Sequence, residues 1–388
     1  MNTDLLHVVP YYHPNSGGPP VVVQRLLEEM SGDDIRSHVI TTDACAPTGD
    51  NEWISRIPHG ELITVVRDAK LGEFAWHASI QKTVDRAVQD ARLVAIHGLW
   101  SWPNLAAMNA SRRHGTPYVI MPHGMLDPNS LARGRFKKQL YGRLIEWPKL
   151  RNASAMVYTN APEQELAESS VPNLPTGHIA PLGTDWPPDT RQQLASEFRA
   201  RFPQTIGKDC VVFLGRLHPK KGLDLLLPAW RNIVSRHPNA CLIIAGKGET
   251  KYESKIREQI ASNEIDDSVL MAGMLNGRDK WGALAASTLF VLPSYQENFG
   301  LAVVESLASG TPVVISKRVN IWNPLQEAGA AAICDLQPNS ISETTCTLLN
   351  EPDAISSMAR AGKACVADNF DWRKTANRFH SLIERYSR

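Results

Sequence analysis

No two of the six cysteines stand at Cys-x-x-Cys spacing. They are scattered at Cys45, Cys210, Cys241, Cys334, Cys346 and Cys365, which argues against a zinc site and against a disulfide framework. Several sit inside apolar runs such as Ala240-Cys241-Leu242-Ile243-Ile244, so all six are expected as buried free thiols in a reducing compartment. No apolar stretch approaches the roughly 20 residues that cross a bilayer. The opening Met1-Asn2-Thr3-Asp4 lacks the charged and long apolar regions of a signal peptide, so a cytoplasmic protein is expected, with peripheral contact at the inner membrane face left open. Net charge is only +1 over 388 residues, which removes the global electrostatic case for a nucleic-acid partner. No side chains fall at metal-ligand spacing, and no low-complexity segment or short repeat is present.

What the sequence does have is alternation. Short β-rich runs at Leu5–Val9, His38–Thr42, Leu62–Val66, Leu93–His97, Tyr118–Met121 and Ala155–Thr159 are separated by helix-length segments, among them Pro20–Met30, Trp76–Ala91 and Asn104–His114. Pro181–Gly207, with Trp186-Pro187-Pro188, interrupts the rhythm and reads as a linker. The alternation restarts with strands at Cys210–Leu214, Cys241–Ala245, Val269–Ala272, Leu289–Pro293 and Pro312–Ile315. Their helices are Leu223–Arg236, Lys251–Ser262, Arg278–Ala286 and Leu301–Ser309, and a last helix covers Trp372–Tyr386. This predicts an α/β protein of two doubly wound domains facing a central cleft, at 1–183 and 208–370. A linker at 184–207 joins them, and the C-terminal helix at 371–388 is free to pack back on the first domain.

The most informative segment runs from Pro293 to Val314. A strand ends at Pro293 and a helix begins near Leu301, so the amides of Asn298, Phe299, Gly300 and Leu301 lie at a helix N-terminus, where anionic or oxygen-rich ligands are favoured. Glu297 stands on the approach, and Glu305 lies one turn inside on the face of Leu301. By spacing alone the two carboxylates are either sugar-hydroxyl acceptors or one glutamate serving the helix dipole and another in solvent. A second segment, Gly215-Arg216-Leu217-His218-Pro219-Lys220-Lys221-Gly222, follows a strand. Arg216 and Lys221 there suit a diphosphate and the charge that develops on it as it leaves, although a basic surface turn is the plain alternative. Gly246-Lys247-Gly248-Glu249-Thr250-Lys251 fails as a dinucleotide fingerprint, because Lys251 takes the third glycine's place.

In the first half, Pro10 to Pro20 carries Gly17 and Gly18 ahead of a helix, which permits close backbone approach. His97 and His123 each end a strand and precede glycine, in Ile96-His97-Gly98-Leu99-Trp100 and Pro122-His123-Gly124-Met125-Leu126-Asp127-Pro128. Asp127 is open as an acid/base or as a loop-capping carboxylate.

These segments resemble the retaining glycosyltransferases of family 4, which have the GT-B fold. The strongest resemblance lies in the glutamate-x7-glutamate pair Glu297 and Glu305, with Phe299-Gly300 and Glu-Ser-Leu-Ala-Ser-Gly-Thr-Pro-Val-Val around it, and in the Gly-Arg…Lys-Gly run from Gly215 to Gly222. Asn298 replaces the commoner glycine. The resemblance implies that Glu297 and the loop through Leu301 hold the donor sugar and that Glu305 holds the nucleotide ribose. It implies that Arg216 and Lys221 hold the diphosphate, with Gly17, Gly18, Gly215, Gly246 and Leu275 beside the donor. His123 would contact the donor sugar near the reacting carbon, with His13, His97, Trp100 and Asp127 on the acceptor side. The implied activity is transfer from a UDP- or GDP-hexose to a glycan or lipid-linked hydroxyl in polysaccharide or lipopolysaccharide synthesis, with no metal or other cofactor. Arg133–Arg151, rich in Arg and Lys with Glu146 as its one acid, is either an anionic-membrane surface or a solvated basic helix. An epimerase or phosphorylase of the same fold, or a donor-binding subunit without turnover, are the alternative readings.

Overall fold

The computed structural model describes residues 3–13, 17–31, 35–46, 52–132, 138 and 140–387. The chain forms two compact units, Met1–Gly183 with Trp372–Arg388, and Thr184–Asp371.

The first unit holds a seven-stranded sheet made of β1 (Thr3–Val8), β2 (Ser37–Thr42), β3 (Ile63–Val66), β4 (Ala91–His97), β5 (Tyr118–Met121), β6 (Ala155–Tyr158) and β7 (Gly177–Ile179). The order is β3-β2-β1-β4-β5-β6-β7 and every neighbouring pair is parallel. Parallel strands buried on both faces explain the nearly unbroken apolar runs. The order reverses between β1 and β4, where crossovers leave on opposite faces and the carboxyl ends open a crevice. The terminal helix Trp372–Tyr386 belongs to this unit. It packs against helix Gly18–Met30, burying Phe379, Leu382 and Ile383, and its Thr375 donates to Pro181 O at 2.6 Å.

The second unit repeats the plan with β8 (Asp209–Leu214), β9 (Ala240–Ala245), β10 (Val269–Gly273), β11 (Leu289–Leu292), β12 (Val313–Ser316) and β13 (Ala331–Cys334). Their order is β10-β9-β8-β11-β12-β13, again parallel throughout, with the reversal between β8 and β11. The segment read as a linker is divided. From Thr184 onward it belongs to this unit, and helix Arg191–Arg201 sets Leu194 and Phe198 against the bare backbone of Gly282.

Several expectations shift. β7 is three half-buried residues and β13 is alanine-rich, so neither carries a β-branched run to announce it. The helix expected from Trp76 begins at Ile80, because Lys70 and Trp76 exchange backbone hydrogen bonds of 2.8 and 2.9 Å that hold Trp76 in a loop. Five cysteines are buried, but Cys45 is exposed. It sits on the turn after β2 at φ +67°, outside the sheet that shelters the others.

Candidate active site

The loops of the second unit that carry the motifs leave the carboxyl ends of β8 and β11, on either side of the reversal. Gly222 makes their close approach possible. Its φ is +76° and a Cβ there would lie 2.0 Å from Pro293 O, so any side chain would force the loops apart. Tyr295 N donates to Lys220 O at 2.8 Å and Tyr295 OH to Asp224 at 2.9 Å, which tie the same two segments. On its other side, the Glu297 backbone pairs with Arg318 and Asn320 at 2.9 and 3.0 Å.

Glu297 is thereby held from both flanks and meets Lys221, whose Nζ donates to Oε2. Their side chains are 14% and 13% exposed. Burial opposes the charge on Glu297, but Lys221, Lys220 and Arg216 outweigh it and hold its carboxyl below the usual range. Arg216 itself is exposed and pairs with no carboxylate among the described residues. One turn into the helix Leu301–Ala308, Glu305 accepts from Lys280 Nζ at 2.7 Å. Both carboxylates thus sit in matched cation pairs near a helix N-terminus whose first amides have no intrahelical acceptor. Phe299 is buried and meets Phe370 edge-on at 5.7 Å, so it anchors the loop. Gly246 N donates to Gly273 O at 2.7 Å, which brings the β9 loop to the end of β10, and Leu275 just beyond is buried. Gly215, Arg216, Lys221, Glu297, Asn298, Gly300, Leu301 and Glu305 therefore share one end of one sheet.

The first unit gathers different chemistry. His97 Nε2 lies 3.0 Å from His7 Nδ1, and His97 Nδ1 lies 3.2 Å from His123 Nε2. The three imidazoles form a chain from the sheet interior to the loop after β5, with Phe379 stacked on His97. Burial holds His7 near 3 and His123 near 4, and it lowers His97 well below the ordinary value, as do its two neighbours. The chain is neutral at pH 7. His123 takes φ +51° and Trp100 φ +62°. Each strained turn is pinned by a buried glutamate. Glu163 accepts from Gly124 N at 2.6 Å and Thr159 N at 2.7 Å, and Glu146 accepts from Trp100 N at 3.2 Å. Burial pushes the Glu146 carboxyl up to about 7, against the Trp100 amide and Lys149.

The remaining first-unit residues are dispersed. Gly17, at φ +102°, precedes helix Gly18–Met30, and a Cβ at Gly17 or Gly18 would meet nothing within 4 Å. His13 packs its ring edge-on to Trp53. Asp127 accepts from Asn129 N at 2.7 Å, which is the capping arrangement. Of the basic stretch Arg133–Arg151, residues 133–137 and 139 lie outside the described residues. Beyond them Lys149 is engaged by Asn109 and Arg151 by Pro172 O, while Leu140 and Leu144 are 53% and 70% exposed. Among the described residues no helix is long and apolar enough to cross a membrane, and no group of three His, Cys, Asp or Glu side chains is placed to hold a metal ion.

Sequence reasoning missed Lys280, His7, Glu146 and Glu163 as parts of these arrangements. A histidine inside the apolar run of β1 marks a buried polar group. Asn160-x-x-Glu163 carries the spacing of a helix-capping box, and Asn160 indeed accepts from Glu163 N at 2.9 Å. Lys280 has no local signature.

Two family profiles divide the chain between them. "Glycosyl transferase 4-like domain" matches residues 17–183 and "Glycosyl transferases group 1" matches residues 196–364. The chain belongs to the GT-B glycosyltransferases of family 4. This glycosyltransferase is 24% identical to the D-inositol 3-phosphate glycosyltransferase of Arthrobacter sp. (strain FB24), over 98% of this chain and 94% of that protein. It is 21% identical to the GDP-mannose:cellobiosyl-diphosphopolyprenol alpha-mannosyltransferase of Xanthomonas campestris, over 97% and 95%. Among solved structures, HepE of Anabaena in complex with UDP and glucose superimposes with a TM-score of 0.78 at 17% identity, covering 98% of this chain and 99% of that one. Sucrose-phosphate synthase from Thermosynechococcus elongatus gives 0.76 at 17% identity, covering 98% of each.

Proposed function

We propose that this glycosyltransferase moves a hexose from a UDP- or GDP-sugar to a hydroxyl of a glycan or lipid-linked acceptor, with retention at the anomeric carbon, in polysaccharide or lipopolysaccharide assembly. The observation that carries the reading is the shared end of the second sheet, where Lys221–Glu297 and Lys280–Glu305 stand beside the unpaired Arg216. Arg216 and Lys221 take the diphosphate and stabilise it as it leaves, so turnover needs no metal. Glu297 and the amides through Leu301 bind the sugar hydroxyls, and Glu305 binds the ribose. The bond from the anomeric carbon to the diphosphate oxygen breaks, and a bond to the acceptor oxygen forms on the same face. The acceptor proton passes to the departing phosphate. His123, neutral by burial, is the first unit's contribution to turnover, with His97 behind it.

HepE of Anabaena has been crystallised with UDP-glucose and the Xanthomonas relative is named for GDP-mannose, so both bases belong in the test. Turnover is measured across UDP-, GDP- and ADP-sugars with and without acceptor, and the anomeric configuration of the product is read by NMR. Transfer with retention from one of these donors supports the proposal. Inversion, or epimerisation or phosphorolysis without transfer, overturns it. A surface role for the basic stretch rests on exposed Leu140 and Leu144, and equal pelleting with neutral and anionic vesicles would exclude its electrostatic form.

A further inference from the structure

At the opposite end of the second sheet, where β11 and β12 begin, the surface forms an open cavity of about 710 Å³. It lies one strand length away from the loops that carry Glu297, roughly 13 Å for four residues. Four cations line it: Arg191 and Arg199 from helix Arg191–Arg201, and Arg360 and Lys363 from helix Pro352–Asn369. Its lining includes no Asp or Glu, and none of the four pairs with a carboxylate among the described residues. In a protein of net charge +1, four cations gathered without one acid is a local imbalance.

Part of the arrangement serves the fold. Arg191 donates to Ser309 O at 2.9 Å, Thr311 Oγ1 at 2.7 Å and Ser287 O at 2.6 Å, which satisfies carbonyls just past two helix ends. Arg199 reaches Ala286 O at 3.3 Å. The remainder is unexplained by packing. A methyl group placed on Gly310 would lie 3.3 Å from Lys363 Nζ and 3.8 Å from Arg191 Nη1, so two cations converge on the same point. Burial and the charge of Arg199 both work against the Arg191 cation. Arg360 stands exposed at the rim. Ala195, Ala285, Ala359 and Ile355 supply apolar wall between the charges. Uncompensated like charges at this proximity repel one another, and a multivalent anion among them would turn that repulsion into attraction.

We propose that this cavity is a binding site for a phosphorylated small molecule carrying at least two negative charges, separate from the donor loops. Its volume falls in the range of small-ligand sites, about 300–1,000 Å³. Arg360 and Lys363 supply the exposed charge, and Arg191 and Arg199 supply the fixed floor.

The test uses the full chain with 13C-labelled isoleucine methyls and inorganic pyrophosphate as the probe, titrated at constant ionic strength. The Ile355 methyl reports the cavity directly. The expected result is a saturable shift of that methyl. Its midpoint is unchanged by Lys221→Ala and raised at least about tenfold by Arg360→Ala with Lys363→Ala, two surface substitutions that leave the thermal melt in place. Absence of a saturable shift, an unchanged midpoint in the double variant, or a midpoint moved by Lys221→Ala would each overturn the proposal.

Discussion

The two units share a sheet plan and handle charge in opposite ways. In the second, cations and carboxylates are brought together as pairs at the strand ends: Lys221 with Glu297, Lys280 with Glu305. In the first, burial removes charge. His7, His97 and His123 are held neutral, and Glu146 is pushed up to about 7. A site built from paired ions is ready to exchange one ionic partner for a ligand's phosphate or hydroxyl. A site built from neutral imidazoles offers hydrogen bonds in fixed directions and no net charge. Paired ions suit an anionic leaving group, and neutral imidazoles suit an uncharged hydroxyl.

The largest effect expected from breaking this contrast is on turnover. Lys221→Ala or Glu297→Ala should lower kcat by roughly 100- to 1,000-fold with circular dichroism unchanged, and wild-type rates in either folded variant would remove the second unit's site. Next come the buried groups, read by chemical denaturation against pH. Glu146 keeps its proton to about pH 7 when folded and loses it near 4.5 when unfolded. Its contribution therefore falls as pH rises through that window, by up to about 3 kcal/mol. Glu146→Gln should abolish that part of the slope. His7 works in the other direction. Its folded value near 3 lies below the ordinary 6.5, so stability is full above 6.5 and lost as pH falls, by about 2 kcal/mol at pH 5. His7→Leu should flatten the acid limb, and an unaltered limb would mean that His7 is not held neutral. A smaller change is expected at the ribose end, where Glu305→Gln should raise KM for the donor about tenfold, as for one lost charge-assisted hydrogen bond, and leave kcat nearly intact. The smallest is none at all: turnover in excess EDTA should equal the untreated rate.

The same contrast explains which parts of the arrangement are legible in the sequence. Most of the second unit's candidate site lies in two contiguous stretches, Gly215–Gly222 and Pro293–Val314, each starting just past a strand, so spacing alone puts Glu297 on the approach to a helix and Glu305 one turn inside it. The helix read at roughly Leu223–Arg236 is found there, with Gly222 before its first residue. The first unit's arrangement is distributed. His7, His97 and His123 come from three strands or their ends, and only the order β1-β4-β5 brings them into line. Lys280 reaches Glu305 from a different helix. Glu146 reads as the one acid of a basic surface stretch, yet it is buried against the Trp100 turn. Local pattern reveals what one loop carries, while neutralisation by burial depends on neighbours far along the chain.

In the proposed function, Lys221 and its partners hold the donor's nucleotide. Calorimetric titration of UDP and of GDP into the wild type and Lys221→Ala tests it most directly. One of the two nucleotides should bind with 1:1 stoichiometry, and Lys221→Ala should weaken that binding at least about tenfold. Binding of neither nucleotide, or equal affinity in the folded variant, would contradict it.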